Sequence, residues 1–167
     1  RAPSFPPLWT LDGLGLPYAL KMRPVPTRVL GKEALGLDPL GTIPLLLDGD
    51  TRMPESAGIS QYLVTRYGPT PLAVNVEEPD YGAFLNWLHF GEATLTFPQT
   101  LVLRYTQLEP EERRNPQVAA DYAKWFFGRL RGLEATVVNS DTVCAGRFTA
   151  AAISVGYALL LGQRVGL

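Results

Sequence analysis

The spacing of apolar residues changes character along this chain, and each change marks an element. Leu8, Trp9, Leu11, Leu14 and Leu16 predict a short helix ending at Gly15 and Pro17, behind a proline-broken lead from Arg1 to Pro7. From Pro17 to Val25 the period drops to two. Tyr18, Leu20 and Met22 alternate with polar or small residues there and predict a strand closed by Pro24 and Pro26. Thr27 to Leu37 predicts a helix, weakened by Gly31 and Gly36 and followed by the turn Asp38-Pro39-Leu40-Gly41. The apolar run Thr42 to Leu47 predicts a strand, which Asp48-Gly49-Asp50 turns back onto a second strand at Arg52-Met53. Ala57, Ile59, Tyr62 and Leu63 then return to helical spacing.

Gly68 to Pro79 is rich in proline, glycine and polar residues, the composition of an interdomain linker. Beyond it the pattern is helical. Phe84, Trp87, Leu88, Gly91 and Leu95 form one stripe, with Asp80 as the expected N-cap. Pro98 is expected to kink or break that helix before Leu101 to Tyr105 resume it. Pro110-Glu111-Glu112 predicts the next helix start, and Tyr122, Phe126, Leu130, Leu133 and Val137 its core face. The last element is expected at Phe148 to Leu161, with Thr149 as N-cap and Phe148 stapled against Ile153. The predicted architecture is an α/β domain over 1–67, a linker over 68–79 and an all-helical bundle over 80–167.

Composition narrows the function classes. A chain of 167 residues that is 46% hydrophobic can bury a sizeable core, in one domain or two small ones. Its net charge of -1 supplies no basic field for nucleic acid. No apolar run approaches the roughly 20 residues that span a membrane, so no membrane partner is expected. The single cysteine, Cys144, excludes an internal disulfide and fits a reducing cytoplasm; with Arg147 as its only nearby cation in sequence, it reads as a packing residue. One histidine, His89, leaves no cluster for a metal, and neither Walker nor Rossmann glycine spacing occurs.

The chemistry gathers between Thr42 and Ser56. Pro44 cannot donate to a strand ladder, so its place in an apolar run marks a kink where something else approaches the backbone. Glu55-Ser56 opens a predicted helix, whose free N–H groups and dipole favour a carboxylate, while the Glu55 side chain beside them suits an ammonium. Carboxylate and ammonium on one carbon make an amino-acid head group. The strand edge at Ile43 suits the next peptide unit, so the expected ligand is a small peptide. Taken alone, Ser56 also fits a simple helix cap and Glu55 a first-turn charge.

Ile43-Pro44, the hairpin, Glu55-Ser56 opening a helix, and the later Phe148-Thr149-Ala150-Ala151 together resemble the glutathione S-transferases, in particular bacterial theta- or serine-type members. The resemblance covers nearly the whole chain and implies a thioredoxin-like N-terminal domain followed by an all-helical one. It implies that Ile43 bonds the cysteinyl backbone of glutathione, that Pro44 follows a cis bond, and that Glu55 and Ser56 hold the γ-glutamyl group. Thr42 occupies a position where several relatives place a lysine toward the glycine carboxylate, and a threonine offers that group only a neutral bond. Glutathione is then a co-substrate, with no prosthetic group and no metal. The second substrate is a small apolar electrophile, and the assembly a homodimer. A role toward that electrophile would fall on His89, Phe90, Phe97 or Tyr105, all of which also suit core, surface or dimer positions.

The resemblance departs from the family pattern in three places. Members begin with a strand that delivers a Ser, Tyr or Cys to the glutathione sulfur, whereas here Arg1 falls near that point with Ser4 one turn later. Arg1 and Ser4 are the candidates for activating the thiol, with a residue upstream of Arg1 as the third. Ala152 stands where the family's capping box has an aspartate, which removes one reciprocal hydrogen bond worth about 1 kcal/mol. Further helices are expected after Leu167. A protein of this fold that holds glutathione or apolar ligands without turnover is the competing expectation, and a thioredoxin-type oxidoreductase is disfavoured by the lack of a Cys-x-x-Cys.

Overall fold

Prolines are tolerated in the first turn of a helix, where their missing N–H groups would have had no partner, and the first helix uses two of them. Helix α1 spans Phe5–Gly13 with Pro6 and Pro7 buried in its opening turn and the Thr10 hydroxyl donating to the Pro6 carbonyl at 2.8 Å. It ends on Gly15, whose φ of +64° only glycine adopts freely. The Gly15 N–H donates to Asp12 O and the Leu16 N–H to Leu11 O, and Leu16 packs back on the cluster containing Leu11, which together make a Schellman end. The computed structural model describes residues 5–22 and 41–167. The predicted helix Thr27 to Leu37 and the residues Arg1 and Ser4 lie outside the described residues.

Two compact units divide the chain, Arg1–Ala73 and Val74–Leu167. In the first, strands β1 (Leu46–Asp48) and β2 (Thr51–Met53) pair antiparallel in the register Leu46–Met53, Leu47–Arg52, Asp48–Thr51. Gly49, at φ +57°, supplies the positive angle that the first position of a two-residue type II′ hairpin loop needs. Helix α2 (Ser56–Arg66) follows and buries Ile59, Leu63 and Val64. Ile59 and Leu63 form a core with Leu11, lined by Leu8, Leu46, Met53 and Tyr62.

Two sequence expectations are corrected in this unit. Thr42 to Leu47 is not one strand: the ladder begins only at Leu46, because Pro44 has no N–H to give. Pro17 to Met22 carries no ladder, and Tyr18, Leu20 and Met22 stand exposed. Alternation selects an apolar face, but a strand also needs a neighbour, and no described strand pairs with this segment.

In the second unit a continuous helical run occupies 81–108. It comprises α3 (Tyr81–His89), a π-helical stretch Phe90–Thr96, α4 (Phe97–Leu103) and a second π-helical stretch Arg104–Leu108. Phe84, Trp87, Leu88, Gly91 and Leu95 are all buried, as their spacing predicts. Pro98 breaks nothing. Its ring would crowd the Thr94 carbonyl in a regular α-helix, and the run widens ahead of it instead, with the Phe97 N–H reaching Glu92 O five residues back.

Helix α5 spans Pro116–Val137 and starts six residues later than the Pro110-Glu111-Glu112 signal suggests. Glu111–Arg113 forms only a 3-10 turn, while Asn115 caps the helix by accepting the Val118 N–H at 3.2 Å with Pro116 at the first position. Of the predicted stripe on α5, Phe126 and Leu133 are buried and Val137 is exposed.

Helix α6 (Ala150–Val165) is the centre of this unit. Small residues let neighbours approach closely: the Ser154 hydroxyl donates to Leu88 O at 2.7 Å beside Gly91, and Gln99 Nε2 donates to Ala158 O at 2.8 Å. Thr149 stands at its N-cap, yet its hydroxyl makes no cap bond and lies 3.6 Å from the Cys144 sulfur. Phe148, expected as a staple, is half exposed. Asp80 likewise sits at the α3 N-cap position while its carboxylate accepts the Ala145 N–H at 2.6 Å. That bond and the paired Arg147–Glu78 hydrogen bonds, both 2.8 Å, fix the loop before α6, and Arg147 holds the Glu78 carboxyl down at about 2.

Candidate functional site

The hairpin brings the two halves of the sequence-predicted site to one end through its register. Counting outward from the Leu46–Met53 pair, Pro44 and Glu55 lie two residues beyond it and Ile43 and Ser56 three, so the open end carries both dipeptides. The Ile43–Pro44 bond is cis, the conformation the resemblance implies. Thr42 and Ile43 are exposed beside the buried Gly41, whose φ is +62°. The Ile43 backbone lies outside the β1–β2 ladder.

Glu55 is the N-cap residue of α2, in extended conformation, and its carbonyl accepts the Ile59 N–H at 2.8 Å. Its side chain takes no part in the cap and is exposed, whereas Ser56, the first helical residue, is buried. An exposed carboxylate therefore stands beside the positive end of an eleven-residue helix. Such a pair suits a zwitterion, its ammonium on Glu55 and its carboxylate on the first-turn N–H groups.

The far end of the same hairpin holds a cluster that the sequence reading missed. Asp48 Oδ2 accepts from the Tyr62 hydroxyl at 2.8 Å and from the Tyr67 hydroxyl at 2.6 Å. Tyr67 first and Tyr62 second lower the Asp48 carboxyl below its usual range, and the same bond raises the Tyr67 phenol. In the sequence Asp48 is a turn residue of Asp48-Gly49-Asp50. The signal available was the pair of tyrosines placed five apart at the end of a helix that follows the turn.

In the helical unit, Phe90, Thr94 and Phe97 face Trp125 and Arg129 of α5 across a cleft of about 330 Å³. Arg129 lies over the Trp125 ring at 5.3 Å, and Tyr122 stacks on that ring at 5.6 Å. Of the four residues considered for an apolar co-substrate, Phe90 and Phe97 line this cleft together, while exposed His89 and half-buried Tyr105 do not. Trp125 and Arg129 follow Tyr122 at helical spacing, which is the signal that the sequence offers for this wall of the cleft. Cys144 is buried, and that burial pushes its thiol up, away from the reactive thiolate. Among the described residues no group of three or more His, Cys, Asp or Glu could hold a metal ion, and no helix is long and apolar enough to cross a membrane.

Residues 7–71 match the family model for the glutathione S-transferase N-terminal domain. The chain is 34% identical over 91 residues to Glutathione S-transferase 3 of Schizosaccharomyces pombe, which covers 53% of this chain and 36% of that protein. It is 35% identical over 105 residues to Glutathione S-transferase hmp2 of Hypomyces subiculosus, covering 58% of this chain and 50% of the relative. The chain thus spans half or less of the length of these curated relatives. Among solved structures, the glutathione transferase URE2P8 from Phanerochaete chrysosporium, with oxidized glutathione, is similar at a TM-score of 0.86 and 20% identity, over 96% of this chain and 74% of that one. That likeness gives the fold, a thioredoxin-like α/β unit followed by an all-helical unit.

Proposed function

We propose that this chain, whose residues 7–71 match the glutathione S-transferase N-terminal domain, binds glutathione and transfers it to a small apolar electrophile. One observation carries the reading: the hairpin register sets Ile43-Pro44 and Glu55-Ser56 at the same open end, beside the α2 N-terminus. Ile43 pairs its backbone with the cysteinyl unit, Glu55 takes the γ-glutamyl ammonium, and Ser56 with the α2 amides takes its carboxylate. Thr42 offers a neutral bond toward the glycine end. The domain bounds proposed are 1–67 and 80–167 about a linker, the compartment is the cytoplasm, and the assembly is a two-fold homodimer. A sedimentation mass of one chain, unchanged with concentration, would reject the dimer.

The reaction needs a thiolate. A free thiol has a pKa of about 8.5 and is mostly protonated at neutral pH, so the enzyme must favour the anion with a donor or positive charge near sulfur. The thiolate sulfur then bonds the electrophilic carbon as the leaving group departs with its electron pair. Within the family, similarity to bacterial theta- or serine-type members makes a hydroxyl the proposed activator. Ser4 by its hydroxyl and Arg1 by its charge are the candidates on this chain, with a residue upstream of Arg1 as the third. A thiol difference spectrum of the glutathione complex is expected to show thiolate at neutral pH, together with conjugation of a generic aromatic halide. If one of the two activates the thiol, replacing Arg1 and Ser4 by alanine together abolishes both signals while binding persists; thiolate that forms only when the family's opening strand is present assigns the role upstream of Arg1. Glutathione that binds yet stays protonated would remove the catalytic reading and leave a binding protein.

A further inference from the structure

We propose that Asp48, through Tyr62 and Tyr67, is a positioning residue for the peptide site at the opposite end of its hairpin; this assignment rests on the glutathione reading of Ile43 to Ser56. The hairpin is a three-residue ladder, too short to hold its own geometry in water. Its chain connection to α2 runs through Pro54 and Glu55, at the open end. Leu46 and Met53 pack on the Ile59 and Leu63 core, but apolar contacts are non-directional and leave the tilt of a short hairpin loosely set. The directional tie is at the turn, where one carboxylate oxygen accepts two tyrosine hydroxyls, one from Tyr62 in α2 and one from Tyr67 just past its end.

The hairpin is thus fastened to α2 at both ends, by the chain beside the α2 N-terminus and by Asp48 beside its C-terminus. Tyr62 is part-buried and Tyr67 exposed, so the tie joins the core side of the helix to its surface. Arg66, between the tyrosines in sequence, adds a favourable charge toward Asp48. Releasing the tie lets the hairpin tilt about Pro54. The Ile43 backbone groups then turn away from a ligand anchored on Glu55 and the α2 amides, and hydrogen bonds weaken steeply once misaligned. Asp48 touches no ligand in this scheme. Its effect falls on the orientation of Ile43 relative to the helix end, which makes it specific to glutathione.

The experiment compares Asp48→Ala, Asp48→Asn and Tyr67→Phe with the unmodified chain. It reads glutathione Kd by calorimetry, the two KM values in the conjugation assay, and thermal stability. Asp48→Ala is expected to raise Kd and KM for glutathione about fivefold, with KM for the aromatic halide unchanged. Asp48→Asn keeps an oxygen acceptor and is expected to restore most of the affinity. Tyr67→Phe removes one exposed hydroxyl and is expected to raise Kd about twofold, a test that stands even if Asp48→Ala does not fold. A purely structural role predicts lowered thermal stability with Kd unchanged below the transition, and that result overturns the assignment. Failure of the unmodified chain to bind glutathione overturns the site reading itself, an outcome seen before any variant is made.

Discussion

Replacing Gly91 by alanine is expected to destabilise the helical unit by about 1–3 kcal/mol, despite alanine being the better helix former. A Cβ built at Gly91 lies 2.6 Å from both the carbonyl carbon and the carbonyl oxygen of Ser154, which are backbone atoms of the central helix α6 and cannot rotate aside. The gain from removing a helical glycine is about 1 kcal/mol. Against it stand the overpacking strain of about 1–3 kcal/mol and the Ser154–Leu88 hydrogen bond, worth about 1 kcal/mol, which any separation of the two elements breaks. Strain wins because both partners are main chain. Gly82→Ala is the matched control: its Cβ meets nothing within 4 Å, so the propensity gain is expected to stand alone. Thermal unfolding should place Gly91→Ala roughly 2–12 °C below the unmodified protein and Gly82→Ala at or above it. Equal transitions for the two would contradict the close packing of this run on α6.

Glu55→Ala is expected to weaken glutathione binding by about 1.5–3 kcal/mol, roughly 10- to 150-fold in Kd, and to leave the fold in place. The two halves of that statement come from one feature. The Glu55 carboxylate stands at the α2 N-cap position but makes no cap bond, and it is exposed, so its removal deprives the folded chain of no side-chain cap. Its proposed partner is the ligand ammonium, where a charged hydrogen bond is lost outright. Ser56→Ala is the less clean test, since Ser56 is buried and its loss mixes packing with binding. Calorimetry on a folded Glu55→Ala chain with unchanged affinity would remove Glu55 from the site.

The elements that sequence located well were those in which one principle governs. Phe84 to Leu95 carries an uninterrupted helical stripe, and every member is buried. Gly15 and the Asp48-Gly49-Asp50 turn lie at positions where the backbone itself selects glycine. The errors arose where a second requirement intervened. Tyr18, Leu20 and Met22 have the period of a strand but no described ladder partner. Pro98 has the chemistry of a breaker, yet a widened π-helical run accommodates it, and no local pattern announces that. Asn115-Pro116 is as good a start signal as Pro110-Glu111, and the asparagine side chain decided between them by accepting a backbone N–H.

The candidate site was legible for a different reason. Ile43-Pro44 and Glu55-Ser56 lie close in sequence on either side of a predictable hairpin, so a correct turn was enough to bring them to one end. The Asp48 cluster and the Trp125–Arg129 wall of the cleft depend on which faces of separate elements meet, and spacing along one element does not contain that.

The central claim is that the open end of the hairpin binds glutathione. Its most direct measurement is a titration of the isotope-labelled chain with reduced glutathione, followed by backbone amide chemical shifts. The expected result is saturable movement concentrated at Thr42, Ile43 and the first turn of α2 from Ser56 to Ile59, with residues at the far end of α6 unmoved. No saturable change, or changes confined to the Phe90, Phe97 and Trp125 cleft with Ile43 and Ser56 still, would contradict it.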